Sequence, residues 1–188
     1  MHSNLRRLHL GRFDTDYYYC SAATLLRRLE LPSLDTLSVS GSMGDVREWL
    51  NTFPAPVPLR TLRIYTGYMS IRHSSFDCFP EFGLTDLEVI SPEPRTSILD
   101  ILSTWPDFFP ELRNLVVLEN VDDIENWQQH VLKFLAIPRS ALESLRLRVH
   151  KDLFDKYVTV GFVEAVRYEA GWVRVSLESA DDYCAVHT

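Results

Sequence analysis

The chain has 188 residues, enough for one domain or one short repeat array. Its 46% hydrophobic and 24% charged residues are the make-up of a folded protein and exclude an intrinsically disordered segment. The net charge of -7 counts against general attraction to nucleic acid or anionic lipid, and no apolar run reaches the roughly 18 residues of a membrane helix.

From its first residues the chain runs straight into a periodic pattern, without the apolar stretch of a secretion signal. The three cysteines, Cys20, Cys78 and Cys184, are odd in number and far apart. The expectation is a reducing, intracellular setting without a disulfide framework.

The pattern is Leu-x-x-Leu-x-Leu, with Val or Ile in place of some leucines. It occurs at Leu5-Leu8-Leu10, Leu34-Leu37-Val39, Leu59-Leu62-Ile64, Leu84-Leu87-Val89, Leu112-Leu115-Val117 and Leu142-Leu145-Leu147, with a degenerate copy at Ala170-Val173-Val175. The starts at 5, 34, 59, 84, 112, 142 and 170 are spaced at near-constant intervals. One such triplet means little, but six good copies at regular spacing mark a repeat. The fourth and sixth positions lie two apart and share one face of a strand, while the third, fifth and seventh face the other way. A single strand cannot bury that apolar face, so the copies are expected to stack as a parallel sheet.

The connections read as helices or turns on the back of that sheet. Leu25, Leu26 and Leu29 suggest a short helix. Val46, Trp49, Leu50 and Phe53 form an apolar stripe after a Ser42–Asp45 capping box. Phe76, Phe79 and Phe82 flank Pro80 and predict a brief or irregular turn. Ile98, Ile101, Leu102 and Trp105 form a second stripe after Thr96. Ile124, Trp127, Val131, Phe134 and Leu135 form a third, started by Asp122-Asp123 and stopped before Pro138. Phe162, Ala165 and Val166 begin a last helix.

These triplets resemble the leucine-rich repeat family. Leu31-Pro32-Ser33-Leu34-Asp35-Thr36-Leu37 and Phe109-Pro110-Glu111-Leu112-Arg113-Asn114-Leu115 look like the repeat arrays of fungal F-box proteins, where the repeats hold a substrate for a ubiquitin ligase. The resemblance implies an α/β leucine-rich-repeat solenoid over residues 1–188, with a curved parallel sheet on the concave side. Two features depart from the family. Of the ninth motif positions only Asn120 carries the family's asparagine, and too few residues precede Leu5 for an F-box. The first copy also lacks a cap, so the expectation is a piece of a longer protein or an edge that self-associates.

The side chains on the outward face are then fixed by position. Five arginines (Arg7, Arg63, Arg146, Arg148, Arg174) stand there against Asp86 and Glu88. Tyr65, Ile90, Val116 and Leu118 form an apolar group on adjacent strands, with Arg63, Glu88, Arg146 and Arg148 around it. An apolar centre with a charged rim is how protein interfaces are built. The same residues also fit a plain structural reading, in which Arg63–Glu88, Arg6-Asp35-Arg60 and Arg113-Glu143 pair across strands for about 0–1 kcal/mol each.

Chemistry has little support. None of the six histidines has metal-ligand spacing to another histidine or to a cysteine, and there is no phosphate-cradling glycine loop or nucleophile elbow. The expectation is a non-enzymatic module with no cofactor that binds a protein partner through Tyr65, Ile90, Val116, Leu118, Arg63, Glu88, Arg146 and Arg148. Nucleic-acid binding through the arginines is an alternative, opposed by the interrupting Asp86 and Glu88. Homo-association through the N-terminal edge is another.

Overall fold

The computed structural model of the chain describes residues 4–10, 31–40, 57–65, 68–69, 83–91, 93–94, 97–119, 123–159, 162 and 173–180. Each aliphatic triplet meets a strand. These strands are β1 (Arg7–Leu10), β2 (Thr36–Ser40), β3 (Thr61–Tyr65), β5 (Asp86–Ser91), β7 (Asn114–Glu119), β8 (Ser144–His150) and β9 (Arg174–Ala180). They form one seven-stranded sheet in chain order, and every neighbouring pair is parallel. Two short strands, β4 (Tyr68–Met69) and β6 (Glu93–Pro94), make a separate parallel pair.

Like motif positions stack on like in the first six copies, but the seventh is shifted by two residues from the expected Ala170-Val173-Val175. There Val175 takes the fourth position and Leu177 the sixth, which leaves Arg174, Ser176 and Glu178 outward. Leu8, Leu37, Leu62, Leu87, Leu115, Leu145 and Val175 align in one row across the sheet. Leu10, Val39, Ile64, Val89, Val117, Leu147 and Leu177 make the next row. Leu34, Leu59, Leu84, Leu112 and Leu142, two residues ahead of their strands, are buried behind them. Each fully buried Leu, Val or Ile contributes about 1.5–3 kcal/mol, so these rows dominate the stability of the sheet. The backbone repeats as well. The second-position carbonyls of Arg6, Asp35, Arg60, Thr85 and Arg113 each accept two N–H groups from the next copy, at 2.8–3.0 Å.

Three helices are described: α1 (Ile98–Thr104), α2 (Ile124–Leu135) and α3 (Lys151–Thr159). Helix α1 starts at Ser97, whose side chain accepts from Leu99 N, one residue after the expected start signal. Helix α2 starts at Asp123, whose carboxylate accepts from Asn126 N at 3.1 Å, and stops at Ala136 before Pro138. Their buried residues, Ile98, Ile101, Leu102, Trp127, Val131 and Phe134, join the same core as the strand leucines. The helices therefore cover one face of the sheet.

Helix α3 is not among the expected helices, and Phe162, where a last helix is expected to begin, is itself helical. The α3 helix follows β8 without a loop, so no cap or turn residue marks its start. Its Tyr157 is buried at the edge of the Trp127 indole, and Phe162 stacks on that indole at 5.2 Å. Phe109 holds a positive φ of 55° in the turn before β7, a conformation that a bulky residue rarely adopts, with its side chain buried. The helices expected around Leu25–Leu29, Val46–Phe53 and Ala165–Val166, the turn around Phe76–Phe82, Trp172, Asn120 and the three cysteines lie outside the described residues. Among the described residues no helix is long and apolar enough to cross a membrane.

Candidate functional site

The second face of the sheet carries the third, fifth and seventh motif positions. On β3, β5 and β8 these positions are half-buried or exposed, while the residues between them are buried. Strand alternation turned one set into the core and left the other set outward.

The register brings the proposed site residues together. Arg63 lies beside Glu88, Glu88 beside Val116, and Val116 beside Arg146. In the next row Tyr65 lies beside Ile90, Ile90 beside Leu118, and Leu118 beside Arg148. Glu88 is the hub. Its carboxylate takes Arg63 Nε at 3.2 Å and Arg148 Nη1 at 3.5 Å. Arg63 and Glu88 are neighbours, but Arg148 stands two strands from Glu88. Two strand spacings amount to about 9.6 Å, so Arg148 must extend across β7 to reach the carboxylate.

That reach changes the expected apolar centre. Val116 and Leu118 are only 6% and 3% exposed. Val116 lies between Glu88 and Arg146 and Leu118 between Ile90 and Arg148, whose reach to Glu88 carries its stem across β7, and long charged side chains cover apolar surface in this way. Arg148 Nε is itself buried without a hydrogen-bond partner, as expected for a stem pressed on hydrocarbon. The expected patch of four apolar residues is thus reduced to the half-buried Tyr65 and Ile90, under a charged lattice.

Tyr65 sits at the edge of this lattice. Burial, followed by the nearby Glu88 carboxylate, raises its hydroxyl above the usual 10.0, while Arg63 and Arg148 oppose the rise. The phenol therefore stays protonated and can donate. Its ring meets His9 edge-on at 6.5 Å. The two rings sit on β3 and β1 and lean together over the small Ser38 and Ser40 of β2.

The arginines divide into two kinds. Arg63 and Arg148 are held by Glu88. Arg7, Arg146 and Arg174 are exposed, and among the described residues their guanidinium groups have no acceptor. Arg174 aligns with Ser144, and Arg146 with Ser176, so the two arginines are diagonal neighbours on β8 and β9. Glu178 aligns with Arg148 and also belongs to this face, yet its carboxylate takes the Ser176 hydroxyl at 3.4 Å.

The sequence reading missed three polar features. The third-position residues Asp86, Asn114 and Ser144 form a ladder. Asn114 Nδ2 donates to Asp86 Oδ1 at 2.7 Å, and Ser144 Oγ donates to Asn114 Oδ1 at 2.7 Å. Polar residues at one motif position in three consecutive copies were the available signal. The other two features are buried charges at the ends of α1. Glu119 accepts from Ile98 N at 2.8 Å, Ser97 Oγ at 2.7 Å and Trp127 Nε1 at 3.1 Å. Burial raises its carboxyl above the usual 4.5, against the pull of these three donors. Arg139 donates to Leu102 O and Phe108 O and lies 5.2 Å from the centre of the Phe134 ring. A carboxylate at the helix N-terminus and a guanidinium at its C-terminus both complement the helix dipole.

Of the expected cross-strand pairs in the second row, Arg113 Nη1 meets Glu143 Oε1 at 3.2 Å. Asp35 instead takes the hydroxyl of Thr36 at 2.8 Å, and among the described residues no ion pair joins it to Arg6 or Arg60. Also among the described residues, no group of three His, Cys, Asp or Glu side chains is placed to hold a metal ion. No family model, curated protein or solved structure matches the chain.

Proposed function

We propose that the chain is a leucine-rich-repeat solenoid of about seven repeats, and that it is a non-enzymatic module which binds a protein partner on the face of its sheet that none of the described helices covers. The solenoid reading is supported by the chain order of the strands and by the in-register stacking of like motif positions in the first six copies. The observation that carries the function is the chemistry of the open face. The half-buried Tyr65 and Ile90 lie within an ordered lattice of Arg63, Glu88 and Arg148, with unpartnered Arg146 beside it. Tyrosine and arginine are the residues most enriched where proteins bind one another. Under the resemblance to F-box repeat arrays, the bound protein is a ligase substrate and the setting is intracellular.

The test compares partners captured by the wild-type chain with those captured by Tyr65→Asp, Arg146→Glu and, on the helix side, Lys133→Glu. Quantitative mass spectrometry reads the captured set, and circular dichroism checks the fold. A set lost with the first two variants and kept with the third supports the reading. A set kept with all three removes this face from consideration.

A further inference from the structure

We infer that the β8–β9 end of the open face docks an acidic, extended peptide segment through Arg146, Arg148 and Arg174, and that Glu88 acts as a built-in competitor for it. This rests on the open-face reading above and specifies the partner's chemistry.

Three observations converge. First, Arg146 and Arg174 are adjacent exposed cations with no acceptor among the described residues. Like charges at neighbouring positions of a sheet repel, and a bound anion relieves the repulsion. Second, three arginines outnumber the two carboxylates at this end of the face, Glu88 and Glu178, while the chain as a whole is at -7. Complementary charge steers a partner to such a patch and rejects like-charged ones. Third, Arg146 and Arg148 are two residues apart on one strand, roughly 6.6 Å along the sheet, which is the repeat of alternate side chains in an extended peptide. Acid-x-acid running along β8 meets Arg146 directly and Arg148 once its guanidinium swings back from Glu88, and Arg174 flanks the first.

The competitor follows from the Glu88 geometry. Its carboxylate already occupies Arg148 Nη1 and Arg63 Nε, the contacts that an incoming carboxylate would make. The Arg148 contact, at 3.5 Å and across a whole strand, is the longer of the two. An incoming acid on β8 approaches Arg148 without crossing β7 and competes for it directly.

The probe is fluorescein-labelled oligoglutamate, read by fluorescence anisotropy at low and moderate salt. The wild-type chain binds it, and Arg146→Gln and Arg174→Gln each weaken binding at least about fivefold through loss of a charge-assisted contact. Glu88→Gln removes a nearby repelling charge and tightens binding about fivefold. Lys133→Gln, the same charge change on the helix side, changes it by no more than about twofold. Glu88→Gln is the decisive variant, because a merely nonspecific basic patch gains nothing beyond one unit of net charge. A matched Glu125→Gln variant on the helix side provides that baseline. Three results overturn the inference: no binding by the wild type or Glu88→Gln, equal effects of Lys133→Gln and Arg146→Gln, or a single-stranded oligonucleotide bound more tightly than oligoglutamate through the same arginines. If oligoglutamate fails while Tyr65→Asp still abolishes partner capture, only the acidic chemistry falls. If Tyr65→Asp and Arg146→Glu also leave capture intact, the open-face reading falls with it.

Discussion

Replacing Glu119 tests how the sheet is joined to its helices. Glu119→Ala strands two buried donors, Ile98 N–H and Trp127 Nε1–H, while the Ser97 hydroxyl can turn to another acceptor. Each stranded donor costs about 1–3 kcal/mol, a gross loss of about 2–6 kcal/mol. Removing the buried carboxylate returns part of this, because burial outweighs its three hydrogen bonds and raises its carboxyl above 4.5. The net expectation is a loss of about 2–4 kcal/mol. For a chain of this size that lowers the melting temperature by about 4–16 °C. Glu119→Gln keeps an oxygen for Ser97 and Trp127 and removes the charge, but turns an amide donor toward Ile98 N–H, so its loss is smaller, about 1–2 kcal/mol. The pH dependence has a definite sign. The folded carboxyl titrates above the unfolded value of 4.5, so the folded state holds the proton more tightly. As pH falls through the folded value toward 4.5, the wild type gains stability relative to Glu119→Gln. Urea unfolding of all three proteins at neutral and mildly acidic pH measures both effects. A Glu119→Ala variant within about 0.5 kcal/mol of wild type, or a wild type that loses ground to Glu119→Gln on acidification, refutes the reasoning.

Leu118→Ala should destabilise by about 2–4 kcal/mol in denaturant titration although Leu118 is on the open face, because the site is buried; a loss under about 1 kcal/mol would mean that the Arg148 stem does not cover it. Arg139→Met removes the donors to the carbonyls of Leu102 and Phe108 and should cost about 1–3 kcal/mol, read as a shifted urea midpoint at unchanged slope. Arg113→Ala should change stability by no more than about 0.5 kcal/mol, since both partners in its pair with Glu143 are largely exposed. Asn114→Ala breaks two bonds of the Asp86–Ser144 ladder and should cost about 1–2 kcal/mol, with hydrogen exchange at β5 and β7 as a local check.

The strand rows, and which side chains face outward, were readable from Leu37, Leu62, Leu87 and their counterparts, because strand periodicity is local and the motif repeats it. Helices α1 and α2 were readable for the same reason, from apolar stripes that follow Thr96 and Asp122-Asp123. Helix α3 was not, although Leu153, Phe154 and Tyr157 are spaced for it, because His150 passes straight into Lys151 without a turn residue.

The motifs alone therefore determined the sheet's order and, for the first six strands, its register and outward residues, whereas on β9 Val175 and Leu177, not Val173 and Val175, stand beside Leu145 and Leu147. Tertiary structure alone decided which outward residues stay accessible. Val116 and Leu118 hold the same motif positions as exposed Arg63 and half-buried Tyr65, yet they lie under a side chain that crosses from β8 to Glu88. It also decided that Glu119 and Arg139 would be buried at the two ends of one helix, with hydrogen-bond partners as far as 37 residues away. Periodicity encodes the direction in which a side chain leaves the backbone, whereas burial and pairing depend on the length and charge of its neighbours in space.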